Sequence, residues 1–234
     1  MNIRFCPINI LRKNLYIIGL LLCAHMLGMI SKYCFGHDYV YGLVRLFNFD
    51  TEQNIPTLYS TIALLFSSIL VSLIAFRRKQ LQIPYIPWLW LSLIFLFMSI
   101  DEASSIHELL VRPAREISEP SGVFYHAWVV PYGLALVVLI IAYSKFLFEL
   151  PKRIMTLFLI SGAIFVLGSV GFECLAGRHV ELYGSMNILY DIMSTCEELL
   201  EMIGIALFIY ALLTYISNEF EDIVISITEG EQTG

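Results

Sequence analysis

Ionisable side chains gather directly after one of the most hydrophobic stretches of this sequence. Residues 85–100 read YIPWLWLSLIFLFMSI, and Asp101, Glu102, His107 and Glu108 follow within eight residues. Positions i, i+3, i+4 and i+7 share one face of a helix, so Asp101 and Glu108 lie on the same face as the two serines between them. An unbroken helix through residue 108 therefore predicts a polar stripe with His107 at its flank.

Similar side chains occur at the ends of three later hydrophobic segments. His126 stands near the start of one, Glu173 stands at the end of the next, and Glu197, Glu198 and Glu201 lie near the start of the last. Counting about 20 residues across the hydrocarbon from the far end of each segment places these groups at one depth. A charge in hydrocarbon costs about 2.5–3.5 kcal/mol on the insertion scale. These groups must therefore face the bundle interior, pair with each other, stay protonated or bind a cation.

Carboxylates and histidines drawn from several helices of one bundle are typical of metal sites bridged by carboxylates. The predicted ligands are Asp101, Glu102, His107, Glu108, His126, Glu173, Glu197, Glu198 and Glu201, of which about half would bind directly. The ion would be zinc, iron or manganese. In an enzyme it would activate water or oxygen against a lipid or another apolar substrate. Glu198 or Glu201 would be the catalytic general base, and both hydrolase and oxidase chemistry stay open. The Glu-x-x-His spacing of di-metal bundles is absent, and Glu198-x-x-Glu201 is the spacing nearest to it.

Two other function classes fit the same residues. The carboxylates could bind and release protons or cations in a transporter, although transporters usually hold their site near the midplane, where only His25 lies. The acids could also pair with basic residues of a protein partner, which would make the chain a non-catalytic subunit. The plainest interpretations are solvated acids at a helix end, an interfacial His126 and a hydrogen-bonded core His25.

The elements that must position these residues are membrane helices. The chain is 58% hydrophobic and 15% charged, whereas soluble domains are about 25% charged. Hydrophobic runs predict an all-α polytopic membrane protein with six spans, at about 15–35, 57–76, 86–106, 123–144, 154–174 and 189–216. They form one domain over 1–216, followed by an acidic, flexible cytoplasmic tail over 217–234. Pro131 would kink the fourth span, and Phe47 and Phe49 would lay the loop over 36–56 on the membrane as a lid over the acids.

The distribution of Lys and Arg predicts the orientation. Nine of the 14 basic residues fall on the side of the N-terminus: Arg4, Arg12, Lys13, Arg77, Arg78, Lys79, Lys145, Lys152 and Arg153. The positive-inside rule then places both termini in the cytoplasm of a cell with the chain in its inner membrane, and the acids at the outer side. Arg112, Arg115 and Arg178 would offset part of that acidic charge. No basic patch suggests a nucleic-acid partner.

Three motifs carry a resemblance to known sequences. FNFDTEQNIPT, SIDEASSIHE and EELLEMIGIALFIYALL together resemble an uncharacterised family of bacterial six-span membrane proteins. The resemblance covers most of the chain and implies a multi-span bacterial membrane protein, with no activity attached. Cys174 and Cys196 fall at similar depth on adjacent spans, where a disulfide, a ligand role and inert thiols are all open.

Overall fold

The computed structural model describes residues 6–109 and 121–220, and these contain helices and turns without a strand. Six of the described helices are long and apolar enough to cross a membrane: span 1 Pro7–Phe35, span 2 Ile55–Gln80, span 3 Ile86–Ser104, span 4 Val129–Glu149, span 5 Lys152–Tyr183 and span 6 Ile188–Glu219. The all-α, six-helix prediction is confirmed, and the protein is an integral membrane protein. Shorter helical pieces are Val40–Gly42, Leu43–Leu46, Ile106–Leu109 and Gly122–Phe124.

Local sequence signals explain where the spans begin. Pro7, Pro56 and Pro87 lie in the first turns of spans 1, 2 and 3, where a missing N–H leaves no helical bond unmade. Asn54 and Asn187 cap spans 2 and 6, each accepting a hydrogen bond from the backbone N–H three residues later. Polar caps thus hold the two spans that contribute most to the core.

Span 6 is the most buried helix and lies at the centre of the bundle, against spans 1, 2 and 5. Span 3 packs along span 2. Trp88 is only 1% exposed and packs among the rings of Phe146, Phe158 and Tyr215, which ties spans 3, 4, 5 and 6 together at one end. Aromatic pairs of this kind contribute about 0.5–1.5 kcal/mol beyond the area they bury.

The two ends of the bundle differ in charge. The end that holds the close of span 2 and the start of span 5 carries Arg77, Arg78, Lys79, Lys152 and Arg153, and is called the basic end below. The opposite end holds the close of span 3 and the first turns of span 6, with most of the acids, and is called the acidic end.

The fourth span was predicted about six residues too early. Gly122–Phe124 forms a single turn, and the helix begins at Val129. Pro131 consequently lies in the first turn, where the ring removes no helical hydrogen bond, so the predicted mid-helix kink is wrong. Only Val129 and Phe146 are buried within this helix, which leaves its middle facing lipid.

The polar stripe predicted through residue 108 is also wrong, because the helix stops at Ser104. Ser105 adopts a left-handed conformation (φ 53°), and a new turn, Ile106–Leu109, starts in another direction. The carboxylate of Asp101 accepts the backbone N–H of His107 at 2.8 Å and so stabilises the break. The side chain of Glu108 and residues 110–120, with Arg112 and Arg115, lie outside the described residues.

Five other predicted boundaries fell short of the helix ends. Span 1 begins at Pro7, and the later spans continue further than predicted: span 2 to Gln80, span 4 to Glu149, span 5 to Tyr183 and span 6 to Glu219. Span 5 contains one widened stretch, Leu167–Phe172, between regular helix over Lys152–Val166 and Glu173–Tyr183. The predicted flexible tail lies largely in 221–234, outside the described residues.

Candidate functional site

His107 connects three elements at the acidic end. Its Nδ1 lies 3.4 Å from Asp101 Oδ1, and its Nε2 lies 3.3 Å from Glu52 Oε1 in the loop before span 2. The ring also packs against Trp128, with centroids 5.1 Å apart. Tyr132 of span 4 donates to the other oxygen of Asp101 at 3.1 Å. The break after span 3 therefore turns His107 back into a network of two carboxylates and two aromatic rings.

The protonation of His107 follows from these neighbours. Burial alone would lower its pKa, but the hydrogen bonds and charges of Asp101 and Glu52 outweigh burial and raise the pKa to about 10. The ring is therefore an imidazolium at neutral pH, with both nitrogens donating. It offsets one of the many acidic charges at this end.

Glu173 forms a second network next to the first. Its Oε1 accepts the indole N–H of Trp128 at 2.9 Å and lies 3.4 Å from Nδ1 of His126. The carboxyl group of Glu197 on span 6 interacts electrostatically with that of Glu173. Trp128 touches both networks and so joins them.

Three further glutamates, Glu102, Glu198 and Glu201, lie between spans 3 and 6 and have fewer partners than the acids of the two networks. Glu198 interacts electrostatically with Glu102, and Glu201 interacts with both. All three are half-buried. Within the described ranges, no hydrogen bond or ion pair reaches their carboxyl groups. The three are called the glutamate trio below, and their like charges repel at short range.

Sequence reasoning missed Glu52. It contacts His107, and it interacts electrostatically with Glu102 and Glu198. Its Oε2 is buried and without a hydrogen-bond partner among the described residues. Nothing in FNFDTEQNIPT separates this acid from an ordinary loop acid, because the loop reaches the site only through long-range packing.

The loop enters the bundle rather than lying on the membrane as predicted. Phe49 is 3% exposed and stacks on His25 at 4.7 Å. The backbone N–H of Phe49 donates to His25 Nδ1, and Nε2 of that ring pairs with Thr195 at 2.8 Å. Thr195 in turn donates to the carbonyl of Asp191. His25 is thus a neutral ring with both nitrogens occupied, as its interpretation as a core histidine predicted.

The described side chains form no complete metal site as they stand. Among residues 6–109 and 121–220, no three His, Cys, Asp or Glu side chains are placed to hold an ion together. Cys174 and Cys196 are free thiols. The structure therefore brings the predicted residues into two hydrogen-bonded networks and one unpaired trio.

The sequence matches one protein family. The model of the family described as Domain of unknown function (DUF8692) covers residues 15–216. The chain belongs to this family. No curated protein matches the chain, and neither does any solved structure. The match includes all three motifs of the acidic end, so the resemblance to an uncharacterised family is confirmed, while its bacterial origin stays a prediction.

Proposed function

We propose that this integral membrane protein binds a divalent cation at the glutamate trio and uses it on a lipid or another apolar molecule. The observation that carries the proposal is that Glu102, Glu198 and Glu201 interact across spans 3 and 6 without a hydrogen bond or ion pair of their own among the described residues, and that the charge of His107 alone acts against their repulsion there. One cation would offset the repulsion that His107 leaves. Glutamate side chains have rotatable stems, so a cation could draw these carboxylates together.

The surrounding residues support this assignment in different ways. His126 Nδ1 faces Glu173, while its Nε2 is buried and without a hydrogen-bond partner in the described chain. A carboxylate that orients one ring nitrogen and leaves the other free is a usual arrangement behind metal-binding histidines. His107 is charged and flanked by Asp101 and Glu52, so it serves as a charge partner in this proposal.

The atoms available as ligands, carboxylate oxygens and one imidazole nitrogen, favour particular ions and particular chemistry. Carboxylate oxygens suit manganese and iron better than they suit softer ions, and an added imidazole also admits zinc. The ion would lower the pKa of a bound water or polarise a carbonyl. The one of Glu198 and Glu201 that does not ligate would accept the proton of that water.

Thermal unfolding of the purified protein tests the binding step. Added Mn²⁺ at about 100 times its dissociation constant should stabilise the chain by about 2.7 kcal/mol. Glu198→Gln should remove this response, whereas Glu149→Gln at the basic end should keep it. Equal responses of both variants would mean that the ion binds elsewhere.

A second candidate function is proton binding, which the repulsion between the carboxyl groups of Glu173 and Glu197 favours, since a proton on either group would relieve it. In this alternative, protons occupy the acidic end, and the chain moves or stores them. Proteoliposomes with an internal pH dye would show a flux that Glu197→Gln reduces. A flux unchanged in Glu197→Gln would dismiss this candidate.

A further inference from the structure

A cavity of about 360 Å³ opens at the basic end, far along the bundle from the glutamate trio. Its walls come from the ends of spans 2, 4 and 6, the start of span 3, and the short connections that precede spans 3 and 5. The volume falls within the usual range of small-molecule sites, about 300–1,000 Å³. None of the residues assigned above to the acidic end contributes to it.

The cavity presents one cation and two anions that do not meet. Arg78, Glu149 and Glu219 all line it. The guanidinium donates through Nε to the carbonyl of Pro84 at 2.7 Å and through Nη1 to the hydroxyl of Tyr215 at 2.8 Å. Among the described residues, neither glutamate lies within ion-pair distance of a basic group. A guanidinium has five N–H donors, so three remain for a ligand.

The position of the cavity along the spans indicates where its ligand comes from. Glu149 and Glu219 are the last residues of their spans, and Arg78 lies two residues before the end of span 2. Span 4 has 21 residues, which matches the thickness of the hydrocarbon, so Glu149 at its end lies near the headgroups. Trp88 and Phe146 form apolar walls on the membrane side of these charges. The cavity therefore has polar walls at the depth of the headgroups and apolar walls toward the hydrocarbon, an arrangement that suits an amphiphilic ligand.

We propose that this cavity binds a zwitterionic phosphate–ammonium group, the chemistry of a phosphatidylethanolamine headgroup. The phosphate would take the free donors of Arg78, which suit an oxyanion in bidentate geometry. The ammonium would donate to Glu149 and Glu219. A purely anionic headgroup would meet these two carboxylates unfavourably, and a quaternary ammonium has no N–H to donate.

Native mass spectrometry of the full chain in detergent tests the proposal. The protein is incubated with phosphatidylethanolamine, phosphatidylglycerol or phosphatidylcholine, and the retained lipids are counted. Phosphatidylethanolamine should be retained best. The double variant Glu149→Gln, Glu219→Gln should weaken this binding by about tenfold or more, since charged hydrogen bonds are lost. Both glutamates are exposed, so these substitutions leave the core unchanged.

Two controls and one competitor complete the experiment. Lys79→Gln and Lys152→Gln change exposed charges at the same end outside the cavity, and both should keep the lipid. If soluble glycerophosphoethanolamine displaces the lipid, the headgroup alone is sufficient for binding. If it does not, the acyl chains are also required. Either result supports binding of the zwitterionic group. Equal retention of phosphatidylglycerol, or unchanged binding by the folded double variant, would overturn the proposal.

Discussion

At the scale of single residues, the acids of the acidic end differ in whether they have a hydrogen-bond partner. Asp101 accepts hydrogen bonds from the backbone N–H of His107 and from Tyr132. Glu173 accepts the indole N–H of Trp128 and lies 3.4 Å from Nδ1 of His126. The glutamate trio accepts no hydrogen bond among the described residues. Unpaired charge in a half-buried place is costly. The proposed function rests on this cost, because a bound cation or added protons would remove it.

His107 leads to a prediction about pH. Its folded pKa of about 10 exceeds the ordinary 6.5, so the native state holds this proton more tightly than the unfolded chain does. The stabilisation is fully present below pH 6.5 and is lost as the pH rises through about 10. His107→Gln should cost about 2–3 kcal/mol at low pH, and progressively less as the medium becomes alkaline.

Unfolding of wild type and His107→Gln in detergent, followed across that pH range, measures this difference. His37→Gln, which changes an exposed histidine near the same end, is the control. A stability difference that grows toward alkaline pH would contradict the assignment of His107 as a charged partner of Asp101 and Glu52.

At the scale of elements, close packing of spans 5 and 6 sets the position of the acids on span 6. A Cβ on Gly168 would lie 2.7 Å from the backbone oxygen of Glu197 and 3.1 Å from Cγ of Glu201. Gly168 also lies in the widened stretch of span 5. Such irregular turns occur frequently at functional sites. The backbone of span 5 thus passes directly over the glutamates.

Gly168→Ala should therefore destabilise the protein by about 1–3 kcal/mol, because the added methyl group forces the two spans apart. Gly162→Ala lies in the same span with nothing within 4 Å of the added Cβ. It should be neutral or stabilising, as alanine is the better helix former. Thermal unfolding of both variants in one detergent makes the comparison; equal losses would argue against close contact at Gly168.

The loop before span 2 gives a further prediction at this scale. Asn54 caps span 2 through Thr57 and donates to the carbonyls of Asn48 and Thr51, so one side chain holds both the helix and the loop that delivers Glu52. Asn54→Ala should cost about 1–2 kcal/mol.

Asn54→Asp provides the matched variant, since it keeps the cap and loses both donors. It should cost at least as much stability as Asn54→Ala, because a carboxylate oxygen then faces the carbonyls of Asn48 and Thr51, and it should loosen the loop toward protease. A loop equally resistant in wild type and Asn54→Asp would show that the amide donors are not what holds it.

At the scale of the whole molecule, composition and hydrophobic runs predicted six membrane helices, because length and apolarity alone define a span. The common depth of the acids followed from the same counting. What local sequence could not supply was long-range contact: the approach of Glu52 to His107, the left-handed Ser105 that breaks span 3, and the insertion of Phe49 against His25. Each of these features depends on neighbours that are distant in sequence, so the hydrophobic periodicity of the local sequence does not predict it.

The unequal distribution of Lys and Arg between the two ends leads to a prediction about the orientation of the molecule in the membrane. Six crossings would put both termini on one side, and the basic end carries Arg77, Arg78, Lys79, Lys152 and Arg153. The positive-inside rule predicts that this end lies in the cytoplasm. A C-terminal green fluorescent protein fusion should therefore fluoresce, and an alkaline phosphatase fusion at the same place should be inactive. The reverse pattern would invert the orientation and place the glutamate trio at the cytoplasmic side.

The central claim is that a cation occupies the glutamate trio, and elemental mass spectrometry of the protein purified without chelator tests it most directly. We predict one or more equivalents of manganese, iron or zinc in wild type and in Glu149→Gln. The metal should be lost in Glu198→Gln and in Glu201→Gln while both variants remain folded. Metal-free wild-type protein, or metal retained in full by both variants of the trio, would contradict the claim.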